Sequence, residues 1–171
     1  VKSNADIEKI AEEFKTNIDK YSTTKTFKES IESSSVYGRK WDRAILLLIE
    51  YFSTDEDKNN FIPLGPKLHL EHILPQTLTK TWEETFSTEE ILEWTNSISN
   101  LTLLSLRKNV QAKNSSFQEK KLAYKNKDNV STSYIITQQI LDEENWNVES
   151  LEDRKIKLLD KVYSKTLLFK S

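Results

Sequence analysis

Apolar residues recur at helical spacing from the start of the chain. Ile7, Ile10, Ala11, Phe14, Ile18 and Tyr21 share one face, so residues 4–21 are expected to form an amphipathic helix. A short helix around Phe27 and Ile31 is expected to follow. The stretch "GRKWDRAILLLIEYF" is apolar nearly all round, which predicts a third helix central to the packing. Residues 53–67, "STDEDKNNFIPLGPK", hold two of the three prolines and one of the two glycines and read as a connecting loop. The pattern then predicts a strand over "LHLEHIL". Ser87 and Glu90 have capping-box spacing for a short helix running through Trp94. "NLTLLSL" at 100–106 alternates loosely and suits a second strand, followed by a helix over about 107–125. "NKDNVSTS" is another loop. Asn147 can cap a long final helix with Leu151, Leu158, Leu159, Val162 and Tyr163 inward. The fold class expected from this order is α+β, mostly α-helical.

Composition narrows the picture. A chain of 171 residues with 30% charged and 36% hydrophobic residues suits one globular domain rather than a disordered segment. With no cysteine, disulfides and cysteine-based zinc sites are excluded. The longest apolar run, "AILLLIEYF" at 44–52, is interrupted by Glu50 and is too short to span a bilayer. No signal peptide is recognisable, so a cytoplasmic protein without membrane attachment is expected. The absence of methionine makes a piece of a longer or processed polypeptide the expectation. Glycine-rich phosphate loops and Gly-x-Ser-x-Gly elbows are missing from the sequence, so nucleotide hydrolysis and esterase chemistry have no support in it.

The net charge of −2 is unevenly spread. Residues 81–94 carry five glutamates and no basic residue, whereas residues 107–127 carry seven Lys/Arg against one Glu. A local basic stripe is what phosphate contact needs, although a solvated charged face produces the same run.

Both histidines of the chain fall in "LHLEHILPQ", residues 68–76. Neutral imidazole is the ordinary general base near neutral pH, with an unperturbed pKa of roughly 6.5. Glu71 and the amide oxygen of Asn109 are hard donors suited to magnesium or manganese. A base that deprotonates water, a metal beside a phosphate and a basic helix together would make a phosphodiester-cleaving site. Bland alternatives stand beside each residue. His72 could be a core histidine, Glu71 could pair with a lysine, and Asn100 and Asn109 could be turn and cap residues. His69 is read as structural, and Trp82 and Trp94 as core. On a regular strand Glu71 and His72 point to opposite faces, and Pro75 is the feature that could end or twist the strand there.

The order Glu71-His72-Ile73-x-Pro75-Gln76, then Asn100-Leu101, then Asn109, resembles an HNH (His-Me finger) endonuclease, including the HNH domain of RNA-guided CRISPR nucleases. The longer stretch "LEHILPQ … W … NSISNLTLLSLRKNVQAKNSSFQEKK" is closer to the C-terminal nuclease domain of GmrSD-type modification-dependent restriction proteins. Trp146, Leu151 and Arg154 fit that subgroup's closing helix. The motif-bearing part spans residues 68–121. Ser99 stands where the subgroup usually has glycine.

The resemblance implies one nuclease domain over 1–171, a C-terminal fragment of a longer protein. It would have a ββα-metal core at 66–127, a helical flank at 1–58 and another at 131–171. It further implies metal-dependent DNA hydrolysis within a restriction or phage-defence protein, with an N-terminal ParB-like NTPase domain as partner. His72 would be the general base, and Asn109 a catalytic metal ligand with Glu71 as the second. Asn100 would fix the hairpin, and the metal would be magnesium or manganese. Arg107, Lys108, Lys113, Lys120 and Lys121 would contact nucleic acid, Lys113 at the scissile phosphate. The alternative is a catalytically silent helical module that binds nucleic acid or protein.

Overall fold

The computed structural model describes residues 24–54, 62, 65–125 and 132–165. The helix expected over 4–21 lies outside the described residues, as does most of the 53–67 loop.

Helix α1 (Thr24–Glu32) and helix α2 (Asp42–Ser53) open the described chain. Strand β1 (Leu68–His72) is followed by the short helix α3 (Lys80–Glu83) and by α4 (Thr88–Trp94). A 3-10 turn at Ile98–Asn100 leads into strand β2 (Leu101–Ser105). Helices α5 (Leu106–Ala112) and α6 (Phe117–Tyr124) come next. Helix α7 (Ile135–Gln138), a 3-10 turn at Gln139–Asp142 and the long α8 (Val148–Lys165) complete it. The described fold is mostly helical with one small antiparallel sheet, in the register Leu68↔Ser105 to His72↔Leu101.

The hairpin divides the core. One cluster joins Leu68, Leu101 and Leu103 to α2 (Ile45, Leu46, Ile49) and α8 (Leu158, Leu159, Val162). The other joins Leu104 to Ile73, Leu74, Trp82, Trp94, Phe117, Tyr124 and Trp146. Strand alternation sends neighbouring residues into different clusters, and Trp82 and Trp94 are core residues.

Local chemistry explains the boundaries. Ser87 and Glu90 close a capping box, with Ser87 N–H donating to the Glu90 carboxylate at 2.7 Å. Asn147 caps α8 by accepting from Ser150 N–H at 3.0 Å. The single helix expected over 107–125 is two helices. Lys113 ends α5 with φ 43°, and Ser116 starts α6 with its N–H on the Glu119 carboxylate at 2.9 Å. That second box, Ser-x-x-Glu, is visible in the sequence. Helices α3 and α7 are too short to leave a periodic signal. Glu50, which interrupts the apolar run of α2, is buried and accepts from the N–H groups of Ile135 at 2.8 Å and Ile136 at 2.9 Å. Burial raises the pKa of its carboxyl, against the lowering effect of those two bonds. No helix among the described residues is long and apolar enough to cross a membrane.

Candidate active site

The chain leaves β1 at His72, but pairing continues. Ile73 N–H donates to the Asn100 carbonyl at 3.0 Å, and Leu74 N–H to Asn100 Oδ1 at 2.7 Å. Asn100 Nδ2 donates in turn to the carbonyls of Leu74 at 2.8 Å and Thr95 at 2.9 Å. Trp146 Nε1 also donates to Asn100 Oδ1, at 3.1 Å. Asn100 is fully buried, so its side-chain amide spends both ends holding the segment that carries His72. Arg154, also buried, donates to the carbonyls of Ser99 and Leu101 and lies 5.9 Å from the Trp146 ring. Residues of α8 and the turn before it thus brace the turn before β2. Desolvation lowers the Arg154 pKa to about 10, which leaves it charged at neutral pH.

Glu71 and His72 are adjacent and face opposite ways. Glu71 is buried, and its Oε1 receives Lys120 Nζ at 2.5 Å and the Tyr124 hydroxyl at 3.3 Å. Lys120 Nζ also donates to the His72 carbonyl at 2.6 Å. Burial draws Glu71 up and Lys120 down in pKa, and their mutual attraction opposes both shifts. Burial also holds the Tyr124 hydroxyl protonated, so it donates.

His72 is half-buried. Its ring meets Tyr37 edge to face at 4.3 Å between centroids, and its Nε2 lies 3.2 Å from Asn96 Oδ1. Gln76 Nε2 donates to the same Oδ1 at 3.2 Å. Desolvation, aided by the charge of Lys120 and opposed by the Asn96 bond, lowers the His72 pKa to about 4. The imidazole is therefore neutral at pH 7, and a weaker base than a free imidazole.

The other sequence-derived candidates scatter. Asn109 is half-buried on α5, and its side-chain amide makes no hydrogen bond among the described residues. Lys120 departs from the expected phosphate-facing stripe: it is fully buried, because the carboxylate of Glu71 and a strand-end carbonyl supply the partners its ammonium needs. Lys108 donates to the Tyr124 carbonyl, and Lys121 to the Glu143 carbonyl at 2.5 Å. Of the five, Arg107 and Lys113 are exposed. His69 is half-buried with its Nε2 buried and unpartnered. Asn96, Tyr37 and Tyr124 gave no signal in the sequence: Tyr37 and Tyr124 lie outside the hairpin, and Asn96 meets His72 across 24 residues of the connection between the strands.

A divalent cation needs oxygen donors turned toward one gap. Among the described residues no group of three His, Cys, Asp or Glu side chains is placed to hold a metal. Glu71 Oε1 already carries an ammonium, and His72 faces away from it. As arranged, Glu71 is committed to its ion pair with Lys120 rather than turned with His72 toward a shared cation.

The family model described as GmrSD restriction endonucleases, C-terminal domain, matches residues 21–161. That span contains the hairpin, the Asn100 brace and the Trp146–Arg154 support. No curated protein matches the chain.

Proposed function

The chain belongs to the family of GmrSD restriction endonuclease C-terminal domains, and on that premise we propose that it hydrolyses phosphodiester bonds of DNA with His72 as general base. One observation carries the reading: a neutral, half-buried imidazole stands at the end of a strand held by Asn100. In the reaction His72 takes a proton from water as the water oxygen attacks phosphorus. The bond to the leaving oxygen breaks, that oxygen takes a proton from solvent, and His72 later returns its own. Arg107 and Lys113, the exposed members of the basic run, are the side chains available to phosphate oxygens. Asn109, on the helix that follows β2, offers an amide oxygen for magnesium or manganese. The role proposed for the whole is the nuclease part of a restriction or phage-defence protein with an NTPase partner domain.

A second reading, a binding module without catalysis, is favoured by the Glu71–Lys120 pair, which neutralises the carboxylate that a catalytic metal would use. Plasmid nicking with magnesium, with manganese and with a chelator separates the two. The parent should nick, and His72→Ala should fold but lose about 10²–10⁴-fold in rate. Undiminished nicking by His72→Ala overturns the assignment of the base, and no nicking by the parent under any condition favours the binding module.

A further inference from the structure

Asn96 follows α4 and faces two ways. Its backbone carbonyl accepts from the N–H groups of Val36 at 2.9 Å and Tyr37 at 3.1 Å, beside a bridge pairing Ser35 with Asn96. That bond holds the turn carrying Tyr37, whose ring abuts His72. The side chain points the other way, and its Oδ1 lies 3.2 Å from both His72 Nε2 and Gln76 Nε2. Gln76 belongs to the His-Ile-x-Pro-Gln run, and this contact is what it does there.

An amide oxygen only accepts. With Oδ1 facing both nitrogens, Gln76 Nε2 and His72 Nε2 each donate to it. A neutral imidazole carries one N–H, so the proton sits on Nε2 and the lone pair on Nδ1. Nδ1 of the half-buried ring has no hydrogen-bond partner among the described residues. Tyr37 limits rotation of the ring from one side.

We propose that Asn96 is a positioning residue for the reaction, which, with Gln76, holds the His72 imidazole with its proton on Nε2 and turns Nδ1 toward the water as the base atom. The inference rests on the nuclease reading above for its catalytic part and on geometry alone for the tautomer. When Nδ1 takes the proton, Nε2–H stays on Oδ1, and the bond strengthens because its donor is now charged. Loss of the Asn96 side chain leaves its backbone bonds intact, so the turn and hairpin need not unfold.

The test uses the intact chain with imidazole nitrogens labelled. Only two histidines contribute, and His69→Gln assigns them. Nitrogen-15 spectra at neutral pH should show His72 protonated on Nε2. Asn96→Ala should give a mixture of tautomers and lower kcat by about 10–100-fold, the usual cost of removing a residue that orients a functional histidine, with KM changed less than about twofold. Asn96→Asp still offers an oxygen to Nε2–H and should retain the tautomer and most of kcat. A parent spectrum with the proton on Nδ1 overturns the proposal, whatever the variants do. A tautomer shift in Asn96→Ala with unchanged kcat overturns its role in the reaction. Should Asn96→Ala fail to fold, the parent spectrum and Asn96→Asp decide the question. Undiminished nicking by His72→Ala would instead defeat the nuclease reading and leave the tautomer assignment standing.

Discussion

The two faces of β1 treat adjacent ionisable residues in opposite ways. On one, Glu71 is buried with Lys120 and Tyr124, and every partner is internal. On the other, His72 is half-buried, held at one ring nitrogen by Asn96 and without a hydrogen-bond partner at the other among the described residues. Adjacency in a strand separates side chains rather than joining them. A motif reading that puts Glu and His in one site needs a twist, and here the register runs regularly through both. Glu71 holds the helix bearing Lys120 against the hairpin, and Lys120 in turn holds the His72 carbonyl. The buried face thus supports the backbone of the open one.

The largest expected effect breaks the buried face alone. Lys120→Met strands a carboxylate in the core and should cost about 3–5 kcal/mol, whereas Glu71→Leu with Lys120→Met removes both charges and should recover most of it. Thermal unfolding of the single and double variants checks this. A single variant as stable as the parent would mean that the pair does not hold the fold. His72→Ala should do the reverse, lowering the melting temperature less than Lys120→Met does while nicking falls.

A smaller effect sharpens the contrast through pH. The unfolded chain protonates His72 below about 6.5, and the folded chain only below about 4. The unfolded state therefore binds more protons in that window. The contribution of His72 is fully present above pH 6.5 and is lost as pH falls toward 4, by at most about 3 kcal/mol. Glu71 and Glu50 are raised by burial from 4.5, so their contributions slope the other way, falling as pH rises through that range. The difference in stability between parent and His72→Gln, measured by denaturant titration from pH 7 to 4, isolates the histidine. A flat difference would show that its pKa is not depressed.

The smallest effect lies outside both faces. Lys113 holds φ 43°, a conformation that favours glycine. Lys113→Gly should gain about 1 kcal/mol in stability. It should weaken DNA binding only if this lysine contacts phosphate, and a salt titration of binding reads that separately.

Much of the architecture was legible because it is written in local patterns. The apolar run of α2, the two strand segments, the Ser87–Glu90 box and the Asn147 cap each depend on residues close in sequence. The break between α5 and α6 was signalled by Ser116 and Glu119 and overridden by the basic, helix-favouring run around it. The candidate site was legible only as a set of residues: His72 and Asn100 stood out by motif, while Asn96, Tyr37 and Tyr124 did not.

Helical periodicities, the caps and the family to which the chain belongs follow from residues read in order along it. Which lysine faces solvent was decided only by tertiary structure. Lys120 and Lys121 are neighbours in one basic run, yet one is buried on Glu71 and the other reaches the Glu143 carbonyl. The nitrogen of His72 that is free was likewise decided by Asn96, 24 residues away. The reason is physical. Helix and strand formation depend on neighbours a few positions off, whereas the cost of burying a charge depends on a partner that only the folded chain brings within hydrogen-bond reach.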